Sequence, residues 1–213
     1  MRLEIASYKA IKYACLNFHY ARVIPLTTIG FNVYNNKNEW CGCITFGGGA
    51  SYKLGSSYCL VSGQFLELTR MALNGKQEST SKAMSIAIRL IKKKKPLVKL
   101  LISYADKGQN HIGTIYQATN WYFVDESDSS GNEVFYKGKW VHDRVPNTLP
   151  KKERNLLEYR KKSGKYKYAY PLSNKVKILC IQKSKKFPKK ISLQDRKDTN
   201  LTLSEEVDSN SNS

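Results

Sequence analysis

The chain has 213 residues, with 36 lysines and arginines against 17 aspartates and glutamates, a formal net charge of +19. Hydrophobic residues make up 41% and aromatics 11%, enough for a packed core, which excludes a wholly disordered basic protein. No apolar run approaches the ~18 residues of a membrane span, and the start MRLEIASYKA, with Glu4, lacks the apolar stretch of a secretory signal, so a cytoplasmic protein with no membrane partner is expected.

Ile11, Ala14, Cys15 and Phe18 recur at helical spacing, which predicts an amphipathic helix over about 7–18; Pro25 forbids its continuation. Residues 30–34 and 40–46 read as strands around the turn Asn35-Asn36-Lys37-Asn38. Gly47-Gly48-Gly49 follows, without the Gly-Lys-Ser/Thr that makes a glycine run a phosphate loop. Residues 64–73, QFLELTRMAL, read as a third strand.

Ser79, Thr80 and Ser81 offer N-caps to a helix in which Met84, Ala87, Ile88 and Ile91 repeat. The four lysines at 92–95 place cations at its negative end before Pro96, a simpler use for them than a phosphate clamp. LVKLLISY, 97–104, is nearly all apolar, as a strand buried on both faces requires. Asn110 offers a cap to a further helix with Ile112, Ile115, Tyr116 and Thr119 along one side. Residues 121–124 and 134–136 read as a hairpin around Ser129-Ser130-Gly131-Asn132, lengthened by the polar stretch 125–133. Strands joined by helices in this order imply an α/β core with some parallel pairing.

The five cysteines, Cys15, Cys41, Cys43, Cys59 and Cys180, form no CxxC pair and read as reduced core thiols; Cys41 and Cys43 fall on one face of a regular strand, and a thiol–metal site is the alternative. Charge divides the chain. Residues 1–136 carry 16 basic and 9 acidic side chains, residues 137–190 carry 18 and 3, and residues 191–213 carry 2 and 5. The expected organisation is a core over 1–136, a basic Lys/Tyr-rich extension over 137–192 packed on or near it, and a disordered tail over 193–213. Lys151, Lys152, Arg154, Arg160, Lys161, Lys162 and Lys165 lie in the extension, with Tyr159, Tyr166, Tyr168 and Tyr170 between them. Cations that neutralise phosphates and rings that stack on bases suit nucleic acid; a solvated basic surface is the plainer alternative.

Three clusters carry chemistry: Asn17-Phe18-His19-Tyr20 at a helix end, Glu67-Leu68-Thr69-Arg70 in a strand, and Ser103-Tyr104-Ala105-Asp106 followed by His111 and Tyr116. An acid at the carboxyl end of a buried strand stands where open α/β sheets bind ligands. Asp106, with His111 and Tyr116 nearby, can move a proton or orient a base; it can equally cap a turn, and Tyr116 can be core.

LELTRMAL, LLISYADKGQNHIGTIYQATNW and NFHYARVIP together resemble the Mom family of phage DNA-modification proteins. The likeness runs over about 12–122 and continues more faintly through KGKWVHDRVPNTLPKKER and KYKYAYPL to about 172. The resemblance implies a fold similar to the GNAT acyltransferases, a mixed sheet flanked by helices, here with a basic C-terminal extension. It implies conversion of adenine in double-stranded DNA to N6-carbamoylmethyladenine, which protects phage DNA from restriction. The matching positions are His19, Tyr20, Asp106 and Tyr116 as catalytic residues, and Arg70 and Ser81 as residues serving the donor. The resemblance leaves the cofactor open between an acyl-CoA such as acetyl-CoA and a divalent metal such as Fe(II), for which His19, Asp106 and His111 are the candidate ligands. The loop Asn74-Gly75-Lys76-Gln77-Glu78-Ser79-Thr80 lacks the closely spaced glycines of a GNAT pyrophosphate loop. Two other readings stand beside this one: an ordinary GNAT acetyltransferase, and a basic DNA-binding protein without catalysis.

Overall fold

The computed structural model describes residues 1–49, 51–127, 131–143 and 145–189; the expected disordered tail lies outside them. Helix α1 (Tyr8–Phe18) begins at Ser7, whose hydroxyl accepts the Ala10 N–H, and buries Ile11, Ala14 and Cys15 against Cys43 and Ala72. Strands β2 (Ile29–Tyr34) and β3 (Trp40–Gly47) form the expected hairpin. Its turn is tied by the Asn35 side-chain oxygen, which accepts from Lys37 N at 3.0 Å and Glu39 N at 2.9 Å. Strand β1 (Arg2–Ile5) adds to the edge of β2; it is mostly exposed, so its sequence carries no alternation to read.

Strand β4 (Phe65–Leu73) runs antiparallel to β3 and parallel to β5 (Leu100–Asp106). Helix α2 (Thr80–Lys94) crosses between them from an N-cap at Ser79. Both faces of β5 are covered, which explains its apolar run: Leu101 and Ala105 pack with Ala87, Ile88 and Ile91 of α2, and Leu100 and Ile102 pack with Val176 and Cys180. The last two belong to α5 (Asn174–Lys183).

The division at residue 136 cuts across this sheet. Strand β10 (Lys165–Pro171) lies between β5 and β6 (Tyr122–Ser127), antiparallel to both, in the order β1-β2-β3-β4-β5-β10-β6. Tyr168 is fully buried and Tyr166 and Tyr170 pack against the core, so these rings belong to packing rather than to base stacking. The expected hairpin of 121–124 with 134–136 does not form. β7 (Asn132–Tyr136) pairs instead with β8 (Lys139–His142) and β9 (Tyr159–Lys161) in a separate three-stranded sheet, and β10 takes the place beside β6. One-turn helix α4 (Lys151–Arg154) lies between β8 and β9.

Two local expectations are also corrected. Asn110 caps no helix: it ends the tight turn at Lys107–Gln109 in a left-handed conformation. Helix α3 is one turn, Thr114–Gln117, and starts at Gly113 with φ +72. A Cβ on Gly113 would lie 2.4 Å from the Tyr168 ring, so glycine there is required by both backbone and packing. Cys41 and Cys43 pack in different clusters, because a bulge at Gly42, φ +120, breaks the strand alternation. Four cysteines are buried free thiols and Cys59 is exposed. Among the described residues no helix is long and apolar enough to cross a membrane.

Because β10 is the internal strand that joins β6 to β5 and covers the edge of β5, residues 1–136 alone should lack a cooperative unfolding transition. Urea unfolding followed by circular dichroism measures this; a sharp transition in that fragment would contradict the placement of β10.

Candidate active site

β4 and β5 are hydrogen-bonded only from Phe65↔Leu100 to Glu67↔Ile102. Beyond that point the strands separate, and a cleft of ≈ 540 Å³ opens between them. β4 contributes Glu67 and Arg70, β5 contributes Tyr104 and Asp106, the chain after α1 contributes His19 and Tyr20, and the β5–α3 segment contributes His111. His19, Tyr20, Arg70, Asp106, His111 and Tyr116, far apart in sequence, thus line one cavity.

His19 is half-buried, and its Nδ1 accepts the Ala21 N–H at 3.1 Å. Burial, with the Arg70 guanidinium and then His111, pulls its pKa down to about 4. The imidazole is therefore neutral at physiological pH, and with Nδ1 occupied as an acceptor its Nε2 carries the proton and donates. Tyr20 stacks on His19 with ring centroids 4.4 Å apart and meets His111 edge-on at 5.9 Å. Burial and the nearby Asp106 charge raise the Tyr20 pKa, so this phenol stays protonated and donates.

Arg70 donates from Nη1 to the Thr69 carbonyl at 2.6 Å, while its buried Nε–H has no partner within the protein. A buried, unsatisfied guanidinium N–H is costly unless a ligand completes it, which marks Arg70 as an anion or carbonyl holder. Asp106 Oδ1 accepts from Gly108 N at 2.9 Å and from the Ser163 hydroxyl at 2.7 Å. Asp106 thus both caps a turn and lines the cleft.

Tyr116 forms the cleft's inner wall. Its hydroxyl is 2.7 Å from Ser103 Oγ, its ring packs on Tyr168 and Trp121, and burial pushes its pKa up to about 12. Ser81 stands apart from the cleft, in the first turn of α2, with its hydroxyl 3.0 Å from Ser79 Oγ.

Three cleft residues were named in the sequence without a role in the pocket. Glu67 is a carboxylate inside a buried strand, and that break in an apolar pattern was its signal. Burial first, and then its charge, raise the pKa of Tyr104; for Tyr116 the same charge adds a smaller push to that of burial. Tyr104 follows Ser103 on β5, and Lys165, grouped with the surface lysines, lines the cleft.

Of the two candidate cofactors, the metal does not match the residues present. His19, Asp106 and His111 make no metal site: among the described residues no group of three or more His, Cys, Asp or Glu side chains could hold a metal ion. His19 Nδ1 and Asp106 Oδ1 already accept protein donors, and the Tyr20 ring contacts both imidazoles. An acyl-CoA diphosphate would sit at the first turn of α2. There the Ser79 hydroxyl takes the Lys82 N–H at 3.2 Å, and the preceding Glu78 carboxylate accepts from Asn36 N at 2.6 Å. The Ser79 hydroxyl thus takes one N–H of that turn, while the Glu78 carboxylate is turned to the β2–β3 turn rather than to α2, which leaves acyl-CoA as the one of the two cofactors that these residues do not rule out.

Of the basic residues, Lys151, Lys152 and Lys161 are exposed and Lys162 is partly so. Arg160 is committed to Glu133, 2.9 Å away, and to the face of Trp140, and Arg154 has its guanidinium partly buried.

The family model described as "Mom protein family" matches residues 1–189. The methylcarbamoylase mom of Escherichia phage Mu is 32% identical over 87 residues, which are 40% of this chain and 35% of that protein. The chain thus matches about a third of the length of that curated relative. Among solved structures, a mutant spermidine N-acetyltransferase SpeG from Vibrio cholerae superposes with a TM-score of 0.50 at 6% identity, covering 82% of this chain and 97% of that one. A Bacillus subtilis acetyltransferase in complex with CoA gives 0.49 at 10% identity, over 81% and 99%. The GNAT-like mixed sheet flanked by helices is the fold of this chain.

The His19 environment is directly testable. Its ring protons, followed by NMR, should titrate near pH 4, and Arg70→Gln should move that titration upward. Since the unfolded chain takes up this proton first, the His19 contribution to stability should be lost as pH falls from about 6.5 to about 4. Titration near 6.5 in the folded protein would contradict the geometry.

Proposed function

The chain belongs to the Mom protein family, and from that premise we propose that it is a transferase that converts adenine in duplex DNA to N6-carbamoylmethyladenine and so shields phage DNA from restriction. One observation carries the reading: the cleft lies at the end of the sheet from which the basic three-stranded sheet springs. β6 ends at Ser127, β10 begins at Lys165, and Lys165 pairs with both Ser127 and Asp106. The residues between carry exposed Lys151, Lys152 and Lys161, so phosphates held there bring a duplex to the cleft mouth.

Adenine N6 is a weak nucleophile because its lone pair is delocalised into the ring, and inside a duplex it is out of reach. The base therefore turns out of the stack into the cleft, a volume fit for a nucleobase. Tyr20, backed on one face by His19, offers it the other as a stacking face. Gly108 N–H and the Ser163 hydroxyl hold Asp106 Oδ1, which fixes the carboxylate and leaves Oδ2 to accept from the amino group. As N6 bonds to the CH2 carbon of the incoming group, the N6–H bond breaks, its proton passes to Asp106, and the donor's leaving group departs with the electron pair. Arg70 Nε–H holds an anionic or carbonyl oxygen of the donor.

Plasmid DNA from cells making the wild-type protein should yield an adenosine heavier by a carbamoylmethyl group on digestion and mass spectrometry. Asp106→Asn should lower that yield at least a hundredfold while leaving stability and duplex affinity unchanged. Unmodified DNA from the wild type would overturn the reading, and full activity of Asp106→Asn would remove that residue from the mechanism. Reversing Lys151, Lys152, Lys161 and Lys162 to glutamate should weaken duplex binding and flatten the slope of log affinity against log salt by about one for each phosphate no longer neutralised. An unchanged slope would show that these lysines do not touch the backbone.

A further inference from the structure

Between α1 and β2 the chain runs without helix or strand, leaving the cleft lining after Tyr20. It is fastened at its near end to His19 of the cleft and at its far end to β3, where the Leu26 carbonyl and the cleft residue Thr69 both approach Gly47. At the near end Ala21 N–H donates to His19 Nδ1 and Arg22 N–H to the His19 carbonyl, 3.0 Å away, with Arg22 at φ 45. At the far end the Leu26 carbonyl lies where a Cβ on Gly47 would be, at 2.3 Å, and Thr28 N–H donates to the Phe46 carbonyl at 2.8 Å. Gly47 pairs with Glu67 of the cleft. Pro25 and the Thr27 hydroxyl, which donates to the Pro25 carbonyl at 3.1 Å, stiffen the segment further. A left-handed non-glycine residue such as Arg22 costs energy and persists where the surroundings hold it in place.

On this fixed mount the apolar side chains point outward. Leu26 is 94% exposed and Val23 57%. One exposed aliphatic residue on a protein surface is ordinary. Two within four residues, on a loop tied to a cleft residue at one end and beside another at the other, are held out to solvent by a backbone that does not turn them back to the core. Proteins that unstack DNA insert apolar wedges of this kind between base steps, and the gap left by a flipped base is lined by the flat apolar faces of its neighbours.

We infer that Leu26, supported by Val23, is the wedge that enters the base stack and fills the space vacated by the target adenine. The inference rests on the duplex-DNA reading above and adds how the base is released. The cleft receives the adenine, the lysines of the small sheet hold the backbone, and Leu26 keeps the stack from closing. Leu26 touches neither the donor nor the reacting atoms; it is a positioning residue.

The test uses plasmid modification in cells and a duplex built on a sequence that the wild type modifies there. Leu26→Ser, at a fully exposed position, should keep the wild-type melting temperature and the wild-type salt slope of binding. It should cut the modified fraction of plasmid adenine at least tenfold, and Leu26→Met should restore it. With 2-aminopurine replacing the target adenine, the wild type should raise its fluorescence on binding and Leu26→Ser should not. Leu26→Ser should bind the paired duplex several-fold more weakly than the wild type, a difference that vanishes when the adenine stands opposite an abasic site, where flipping is already easy. Modification and fluorescence equal to wild type in Leu26→Ser, or an affinity defect that persists opposite the abasic site, would overturn the wedge alone. A wild type that leaves plasmid DNA unmodified would overturn the function itself, and the wedge with it.

Discussion

The parting of β4 from β5 after three paired residues is the constraint on which the site depends. Had the ladder continued past Glu67↔Ile102, Arg70 and Asp106 would belong to strands in hydrogen-bonding contact, with no room for a nucleobase. The separation is propped at its apex: Ser103 Oγ lies 3.4 Å from the Leu68 carbonyl of the opposite strand and 2.7 Å from the Tyr116 hydroxyl. β5 does not collapse into the gap because β10 pairs along its other edge from Pro171↔Leu100 to Lys165↔Asp106. The antiparallel partner supplies the hydrogen bonds that the missing parallel ones do not, and Tyr168 of β10 packs on the Tyr116 ring. The basic segment of the chain is therefore structural before it is anything else.

Much of the framework was legible from periodicity. The spacing of Ile11, Ala14 and Cys15 found α1, and the apolar run through Leu100, Leu101 and Ile102 found the central strand. What escaped was decided by partners distant in sequence. Tyr166, Tyr168 and Tyr170 alternate with lysines and alanine, a pattern equally suited to a stacking surface and to a strand. Only the vacancy beside β5 selects the strand, and that choice dissolves the local hairpin expected between residues 121 and 136. The one-turn helix α3 was overestimated because its apolar spacing is real, whereas the Tyr168 ring pressed on Gly113 is invisible locally. For the site, His19, Tyr20, Arg70, Asp106 and Tyr116 were found through resemblance and do converge, yet their roles diverge: Tyr116 and Ser103 hold the wall, and Ser81 lies elsewhere. Glu67 and Lys165 were named but not placed in the pocket, because one sat in a strand and the other in a run of lysines.

Electrostatically the cleft joins a guanidinium, a neutral imidazole and two carboxylates. Arg70 and burial together keep His19 uncharged, which makes it a donor of one hydrogen bond rather than a competing cation. The positive charge in the cleft then comes from Arg70 and Lys165, and in the proposed reaction Asp106 takes the proton. Such a division of labour within one pocket suits transfer to a weak nitrogen nucleophile, where orientation and proton removal limit the reaction more than raw nucleophilicity does.

The central claim is that an adenine from duplex DNA enters this cleft. Photocrosslinking tests it most directly: a duplex carrying 8-azidoadenine at a modified position is irradiated with the wild-type protein, and the labelled peptides are sequenced by mass spectrometry. The account expects adducts on the segments that hold Tyr20, Tyr104 and His111. Adducts confined to the lysines between residues 151 and 162, with none in the cleft, would show that the base never leaves the stack to reach it.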